Sequence, residues 1–161
     1  KGRDDFVVGT PVAGRAKTAL KETMGYFSGI VPLRGRIDPA AAFADTARII
    51  HDGAVDDLAQ AMPFVELAAA VEKDHPRKRH AVFDVRFAVQ NHPFPDIEIP
   101  GMSSHHRNLS SGTSRFDIAC ELTEDGKKME LIWLFRPSAA TRSDIESLDR
   151  VFRAVLEESC R

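Results

Sequence analysis

The chain reads as an α/β protein, an α+β two-layer arrangement in which helices pack on one face of a mixed sheet. Three observations predict this. Two segments alternate apolar and polar residues with the period of a half-buried strand, the second of them folds back through a hairpin, and the C-terminal segment carries apolar residues at helical spacing.

From the N-terminus, Asp5 to Val8 is a short β-type run that ends on the turn residues Gly9-Thr10-Pro11. Met24 to Leu33 is a second extended stretch, interrupted by Gly25 and Gly29. Asp38-Pro39 has the form of an N-cap followed by proline at the first helical position. Phe43, Ala47, Ile50, Ala54 and Leu58 then recur on one helical face, weakened in the middle by Gly53, and Pro63 restarts a shorter helix through Ala70.

Ala81, Phe83, Val85, Phe87 and Val89 mark the first alternating strand. Phe116, Ile118, Cys120 and Leu122 mark the second, and Glu124-Asp125-Gly126-Lys127 turns it into the return strand Met129 to Phe135. Trp133 in that strand is read as a packed aromatic. Ser143 and Glu146 have the spacing of a capping box ahead of Ile145, Leu148, Phe152, Val155 and Leu156. Residues 92–112 form a long polar, proline-containing connection, of the kind that in a compact domain is functional or crosses to another unit.

Composition narrows the classes of function. The 161 residues are 43% hydrophobic and 29% charged, enough for one domain with a core. A formal net charge of −2 gives no electrostatic footprint for nucleic acid or an anionic membrane surface. The basic cluster Arg77-Lys78-Arg79 is short and reads as a solvated loop. No apolar run approaches the roughly 20 residues a membrane helix needs. The polar N-terminus has no signal-peptide pattern, and Cys120 and Cys160 read as free thiols, which together predict a cytoplasmic protein.

The motifs then point to a family. Asp5-Phe6-Val7-Val8-Gly9-Thr10-Pro11-Val12-Ala13-Gly14-Arg15 resembles, without a gap, a core motif of nonribosomal peptide synthetase condensation domains. Met24-Gly25-Tyr26-Phe27-Ser28-Gly29-Ile30-Val31-Pro32-Leu33-Arg34 resembles the next motif, which in the family reads glycine, two aromatics, a small residue, asparagine, then a short apolar run to arginine. Gly29 stands at the asparagine position. Gln60 with Pro63-Phe64 is similar to a third motif, with Ala59 and Ala61 in place of its histidine and aspartate. Arg79 to Phe87, ending at Gln90-Asn91, and Ser114 to Ile118 resemble two later segments, so the similarity runs through the chain in family order.

That resemblance implies a chloramphenicol acetyltransferase-like fold of two similar lobes around a tunnel. Phosphopantetheine arms of peptidyl carrier proteins enter from opposite faces, and an acceptor amine attacks a donor thioester to form an amide. The family's catalytic histidine pair, followed after three residues by aspartate-glycine, lies in the first lobe. Residues 1–161 therefore correspond to an incomplete C-terminal lobe, with no catalytic residue and no directly bound cofactor or metal. Residues 92–112 correspond to a latch-like crossover.

By the same resemblance, Gly9, Thr10, Pro11, Gly14, Arg15, Gly25, Phe27, Gly29 and Arg34 line the tunnel or carry its motifs. Arg15 is read as a member of a structural ion pair, and Tyr26 and Phe27 as core residues. The implied partners are the N-terminal lobe of the same domain, peptidyl carrier proteins and an adjacent adenylation domain. Exposed apolar surface on an isolated lobe also allows pairing with a second copy.

Other readings of the same residues are weaker. His105-His106 lacks the following aspartate-glycine and occupies a polar loop, and no cysteine or carboxylate stands nearby at a metal-ligand spacing. The glycines from Gly9 to Gly14 lack the lysine of a phosphate-binding loop. Ser28, Ser110 and Ser111 sit in no nucleophile elbow. Within the superfamily, an epimerisation domain is disfavoured by the residues after Gly25. A coenzyme A-dependent acyltransferase and a non-catalytic carrier-docking module remain as alternatives.

Overall fold

The computed structural model describes residues 4–15, 18–74, 82–90, 99–103, 112–125 and 128–159. Strands β1 (Asp5–Val12), β2 (Gly29–Arg36), β3 (Val85–Gln90), β4 (Ile118–Asp125) and β5 (Lys128–Phe135) form one sheet in the order β2-β1-β3-β4-β5. The outer pairs β1/β2 and β4/β5 are antiparallel, while β3 runs parallel to both of its neighbours. Helices α1 (Phe43–Ala59), α2 (Phe64–Asp74) and α3 (Arg142–Ser159) complete a mixed α/β layer.

β1 runs through Gly9-Thr10-Pro11 to Val12, beyond the turn expected there. Its ladder shows why a proline is tolerated. In β2, the Arg34 amide points away from β1 and donates to the Asp57 carboxylate of α1 at 3.0 Å. Alternation along an antiparallel pair then gives Pro32 and Pro11 the same outward-pointing phase, because Gly9 pairs with Pro32 and Pro11 with Ile30. Neither proline removes a β1–β2 hydrogen bond. The β1–β3 ladder consists of the single pair Gly9 and Arg86, so at Pro11 the other flank has no ladder to break.

The central strands justify their alternation. Phe87 of β3 and Trp133 of β5 pack against Phe152 of α3, with ring centroids 6.2 and 6.0 Å apart. The register Phe87–Cys120–Trp133 puts all three on the face that α3 covers. Trp133 Nε1 donates to Asp149 at 2.8 Å, which also ties the indole to α3. On the opposite face Arg86 and Glu121 form a half-buried ion pair at 2.6 Å.

Two helix starts differ from the sequence expectation. Asp38 accepts from the Ala40 amide in a turn, and α1 begins later at Phe43, with Ala42 at its N-cap and no side-chain bond there. For α3 the reciprocal cap is Thr141 with Asp144, not Ser143 with Glu146. The Asp144 amide donates to Thr141 Oγ1 at 3.2 Å, and the Thr141 amide donates to Asp144 Oδ2 at 2.9 Å. Both pairs have the same sequence spacing, so only the backbone path selects between them.

Phe83 anchors the interior. It is 2% exposed and packs between Phe64 of α2 and Phe116, with centroid distances of 5.5 and 5.6 Å. It precedes β3, which begins at Val85; the Asp84 carbonyl accepts from the Asp117 amide at 3.0 Å as the chain enters the ladder. Other buried apolar residues include Val31, Ala88, Ala119, Cys120 and Ile145. Burial, assisted by the nearby Asp149 and Glu121 carboxylates, pushes the Cys120 thiol up to about 11. In a Cys160→Ser background, Cys120 is expected to resist an aromatic disulfide reagent at pH 8 until the chain unfolds. Rapid reaction under native conditions would contradict that burial.

Candidate functional site

The residues singled out in the sequence fall into two groups. Val12 of β1 pairs with Gly29 of β2, so Thr10 and Pro11 lie beside Val31 and Ile30 at one end of the β1–β2 ribbon. The connection between these strands holds Gly14, Arg15, Gly25 and Phe27. Arg34 lies towards the opposite end of the ribbon and belongs to a separate cluster.

The loop is built around Arg15. Its guanidinium donates to the backbone carbonyls of Leu20, Thr23 (2.6 Å) and Gly25 (3.0 Å). The same group lies over the Phe27 ring, 4.6 Å from its centroid. Among the described residues Arg15 caps carbonyls, and no acidic side chain there forms the structural ion pair expected for it. The planar fork of five donors suits this task, since one side chain reaches several acceptors at once.

Gly14 completes the arrangement. It has φ +65°, and a Cβ there would stand 1.9 Å from the Phe27 carbonyl oxygen. A side chain at Gly14 is thus opposed by backbone conformation and by space together. Drawing the Thr23 and Gly25 carbonyls onto Arg15 also explains why 24–28 leaves the extended stretch expected from Met24, and why β2 starts only at Gly29.

Tyr26 is a further correction. It is 89% exposed and Met24 is 98% exposed, whereas Phe27 is half-buried beneath Arg15. Adjacent aromatics in the sequence gave no way to tell the stacked ring from the outward one. Gly29, by contrast, is not required by packing. Among the described residues a Cβ there would meet only Val12 Cγ2, at 3.5 Å, an ordinary contact.

Gly9 is buried for a different reason. A Cβ at this position would fall 2.1 Å from the Phe83 ring, so the first motif's glycine leaves room for the central aromatic. Phe64, the other end of that aromatic contact, belongs to the Pro63-Phe64 motif. Two motif positions thus serve the same piece of core.

Arg34 holds Asp5 by a two-pronged contact, Nε to Oδ1 at 2.8 Å and Nη2 to Oδ2 at 2.6 Å, with Arg36 Nε 3.3 Å from the same carboxylate. Sequence spacing alone did not show this pair; the antiparallel register, in which Asp5 faces Arg36, creates it. The Arg34 hydrogen bonds hold the Asp5 carboxyl well below the usual range, at about 2. A depressed carboxylate stabilises the fold above its ordinary value, and that contribution disappears as pH falls through about 2. Asp5→Asn is therefore expected to be less stable than the parent at pH 7 and to converge with it near pH 2. A stability gap that persists unchanged in strong acid would rule out the ionic origin.

His105 and His106 lie outside the described residues, as does most of 92–112. The part described is a tight turn, in which the Met102 amide donates to the Ile99 carbonyl at 3.0 Å and Gly101 takes φ +80°. Pro100 and Gly101 at its centre have the residue order of a type II turn. Among the described residues, no group of three or more His, Cys, Asp and Glu side chains could hold a metal ion. No described helix is long and apolar enough to cross a membrane.

Comparison with known proteins agrees with the motifs. The chain is 26% identical over 159 residues to bacitracin synthase 3 of Bacillus licheniformis, covering 98% of this chain and 2% of that protein. It is 32% identical over 124 residues to a dimodular nonribosomal peptide synthase of Bacillus subtilis, covering 75% of this chain and 5% of the relative. The fold matches the first condensation domain of the calcium-dependent antibiotic synthetase in complex with a substrate analogue, with a TM-score of 0.74 and 22% identity over 98% of this chain and 35% of that one. It also matches a four-domain nonribosomal peptide synthetase bound to AMP and glycine, with a TM-score of 0.76 and 16% identity over 96% of this chain and 13% of that one. The chain thus spans a few per cent of its curated relatives and about a third of the solved condensation domain. The condensation domain model matches residues 1–161 throughout, and the chain belongs to the condensation domain family.

Proposed function

We propose that this chain is the C-terminal lobe of a domain that forms amide bonds between carrier-bound aminoacyl or peptidyl thioesters in nonribosomal peptide synthesis. The observation that carries this reading is the family match over residues 1–161, together with coverage of about a third of a solved condensation domain. The lobe supplies a tunnel wall and a docking surface, and the catalytic histidine comes from the preceding lobe. Thr10, Pro11, Gly14, Arg15, Gly25, Phe27 and Gly29 are the residues assigned to the tunnel side, while Gly9 of the same motif makes room for Phe83 in the core. Arg34 supports them at a distance, through Asp5.

The partners are the N-terminal lobe, peptidyl carrier proteins that present phosphopantetheine arms, and an adjacent adenylation domain, all in the cytoplasm. A relative that is a four-domain synthetase bound to AMP and glycine supports the adenylation neighbour. Exposed Met24, Tyr26 and Val65 support a lobe that meets other protein surface.

A second reading, a carrier-docking module without condensation activity, is favoured by Gly29. Among the described residues a Cβ at Gly29 meets no obstacle, so nothing there requires glycine in place of the motif's asparagine. The test of the leading reading is an assay of the purified chain with carrier-bound donor and acceptor. It is expected to give no amide product, and turnover by the chain alone would overturn the assignment of the chemistry to the preceding lobe. Titration with a carrier protein tests the docking reading, which fails if no binding is detected.

A further inference from the structure

We propose that Arg15 is the positioning residue of the β1–β2 connection, setting the path along which Gly25, Phe27 and Gly29 reach the sheet. Two features converge on its guanidinium, and a third stands beside it in the chain. It gathers carbonyls from three separate places in the loop, at Leu20, Thr23 and Gly25. It covers the half-buried Phe27 ring, whose own backbone carbonyl passes against Gly14. Its neighbour Gly14 adopts a left-handed conformation that turns the chain into the loop directly before it.

Little else described would order this segment. Among the described residues of the loop, the backbone bonds are Lys21 to Thr18 and Thr23 to Leu20, which close the 3₁₀ turn Thr18–Leu20, and the Thr23 hydroxyl adds a bond to the Ala19 carbonyl. None of these links the turn to Gly25, Phe27 or Arg15. Met24 and Tyr26 contribute almost no burial, at 98% and 89% exposed. The guanidinium is the shared partner of the 3₁₀ turn and of the strand entry. A lysine in its place offers a compact point charge with no planar fork, so it cannot reproduce the span of acceptors and the ring contact together.

The relevance of this device to condensation rests on the reading given above, but the ordering itself is testable without substrate. The chain contains one tryptophan, Trp133, in the α3-covered core, and Lys21 is an exposed trypsin site within the loop. Arg15→Ala, Arg15→Lys and the parent chain would be compared by cleavage rate after Lys21, with Trp133 emission read in parallel. The expected result is a rise of about tenfold or more in Arg15→Ala, corresponding to a loss of about 1.4 kcal/mol of local ordering. A smaller rise is expected in Arg15→Lys, and Trp133 emission should stay native in both. A cleavage rate equal to the parent's in either folded variant would overturn the proposal. Loss of the native Trp133 signal in both variants would also overturn it, by making Arg15 a global stability residue. A failed condensation assay with normal loop protection would count against the function and leave the positioning role standing.

Discussion

Replacing Phe83 by alanine is expected to lower the unfolding free energy by about 3–5 kcal/mol, the usual range for removing a large buried aromatic. The ring is 2% exposed and stands between Phe64 and Phe116, so its removal leaves a void bordered by α2, the entry to β3 and the approach to β4. Gly9 of β1 borders the same space from below the ring. Because these contacts join segments remote in sequence, the loss should appear in the global urea transition followed by Trp133 emission. A midpoint within experimental error of the parent would show that Phe83 does not anchor the core.

Gly9→Ala is the second large effect, expected to cost about 1–3 kcal/mol through overpacking. The added methyl would lie 2.1 Å from the Phe83 ring, well inside any permitted contact. The ring cannot retreat freely, since it is buried in contact with two aromatic neighbours, Phe64 and Phe116. The two sites share one space, so they should not be additive. Gly9→Ala is expected to be milder in a Phe83→Leu background than in the parent. Equal costs in the two backgrounds, measured by urea unfolding of all four chains, would remove the steric explanation. The glycine of the first motif is on this account a packing residue, although it was legible in sequence only as a turn or tunnel position.

Regular elements could be read wherever burial repeats with a fixed period. Phe87, Cys120 and Trp133 lie in register on the face covered by α3; Phe87 and Cys120 were legible from period-2 alternation within their strands, and Trp133 as a packed aromatic of the return strand. Ile145 and Phe152 reach the sheet side of α3, as helical spacing required. The β4–β5 hairpin followed from its turn residues and flanking alternation. Local rules were sufficient in these cases because the partner of each side chain was fixed by the element itself.

What escaped depends on contacts between distant residues. Thr141 and Ser143 were equally good caps by composition, and the path of the chain out of β5 decided between them. Pro11 looked like the end of a strand, and its compatibility with β1 appears only through the phase of pairing with β2. Arg15 invited an acidic partner, but a local loop brought carbonyl oxygens to it first. Arg34 was legible as the last residue of a motif, while its carboxylate partner Asp5, the first residue of the other motif, was not paired with it until the strands were in register. The candidate site was therefore legible as a set of positions, and the division between packing and loop ordering was not.

On the proposed function, this chain completes a condensation domain whose chemistry resides in another lobe. Its most direct test is complementation: the chain is combined with a preceding lobe that contains the histidine-histidine-x-x-x-aspartate-glycine segment, and amide formation between carrier-bound donor and acceptor is measured. Product is expected only when both lobes are present, and lost again when the second histidine of that segment is replaced by alanine. A stable two-lobe complex that loads both carrier substrates yet forms no amide would contradict it.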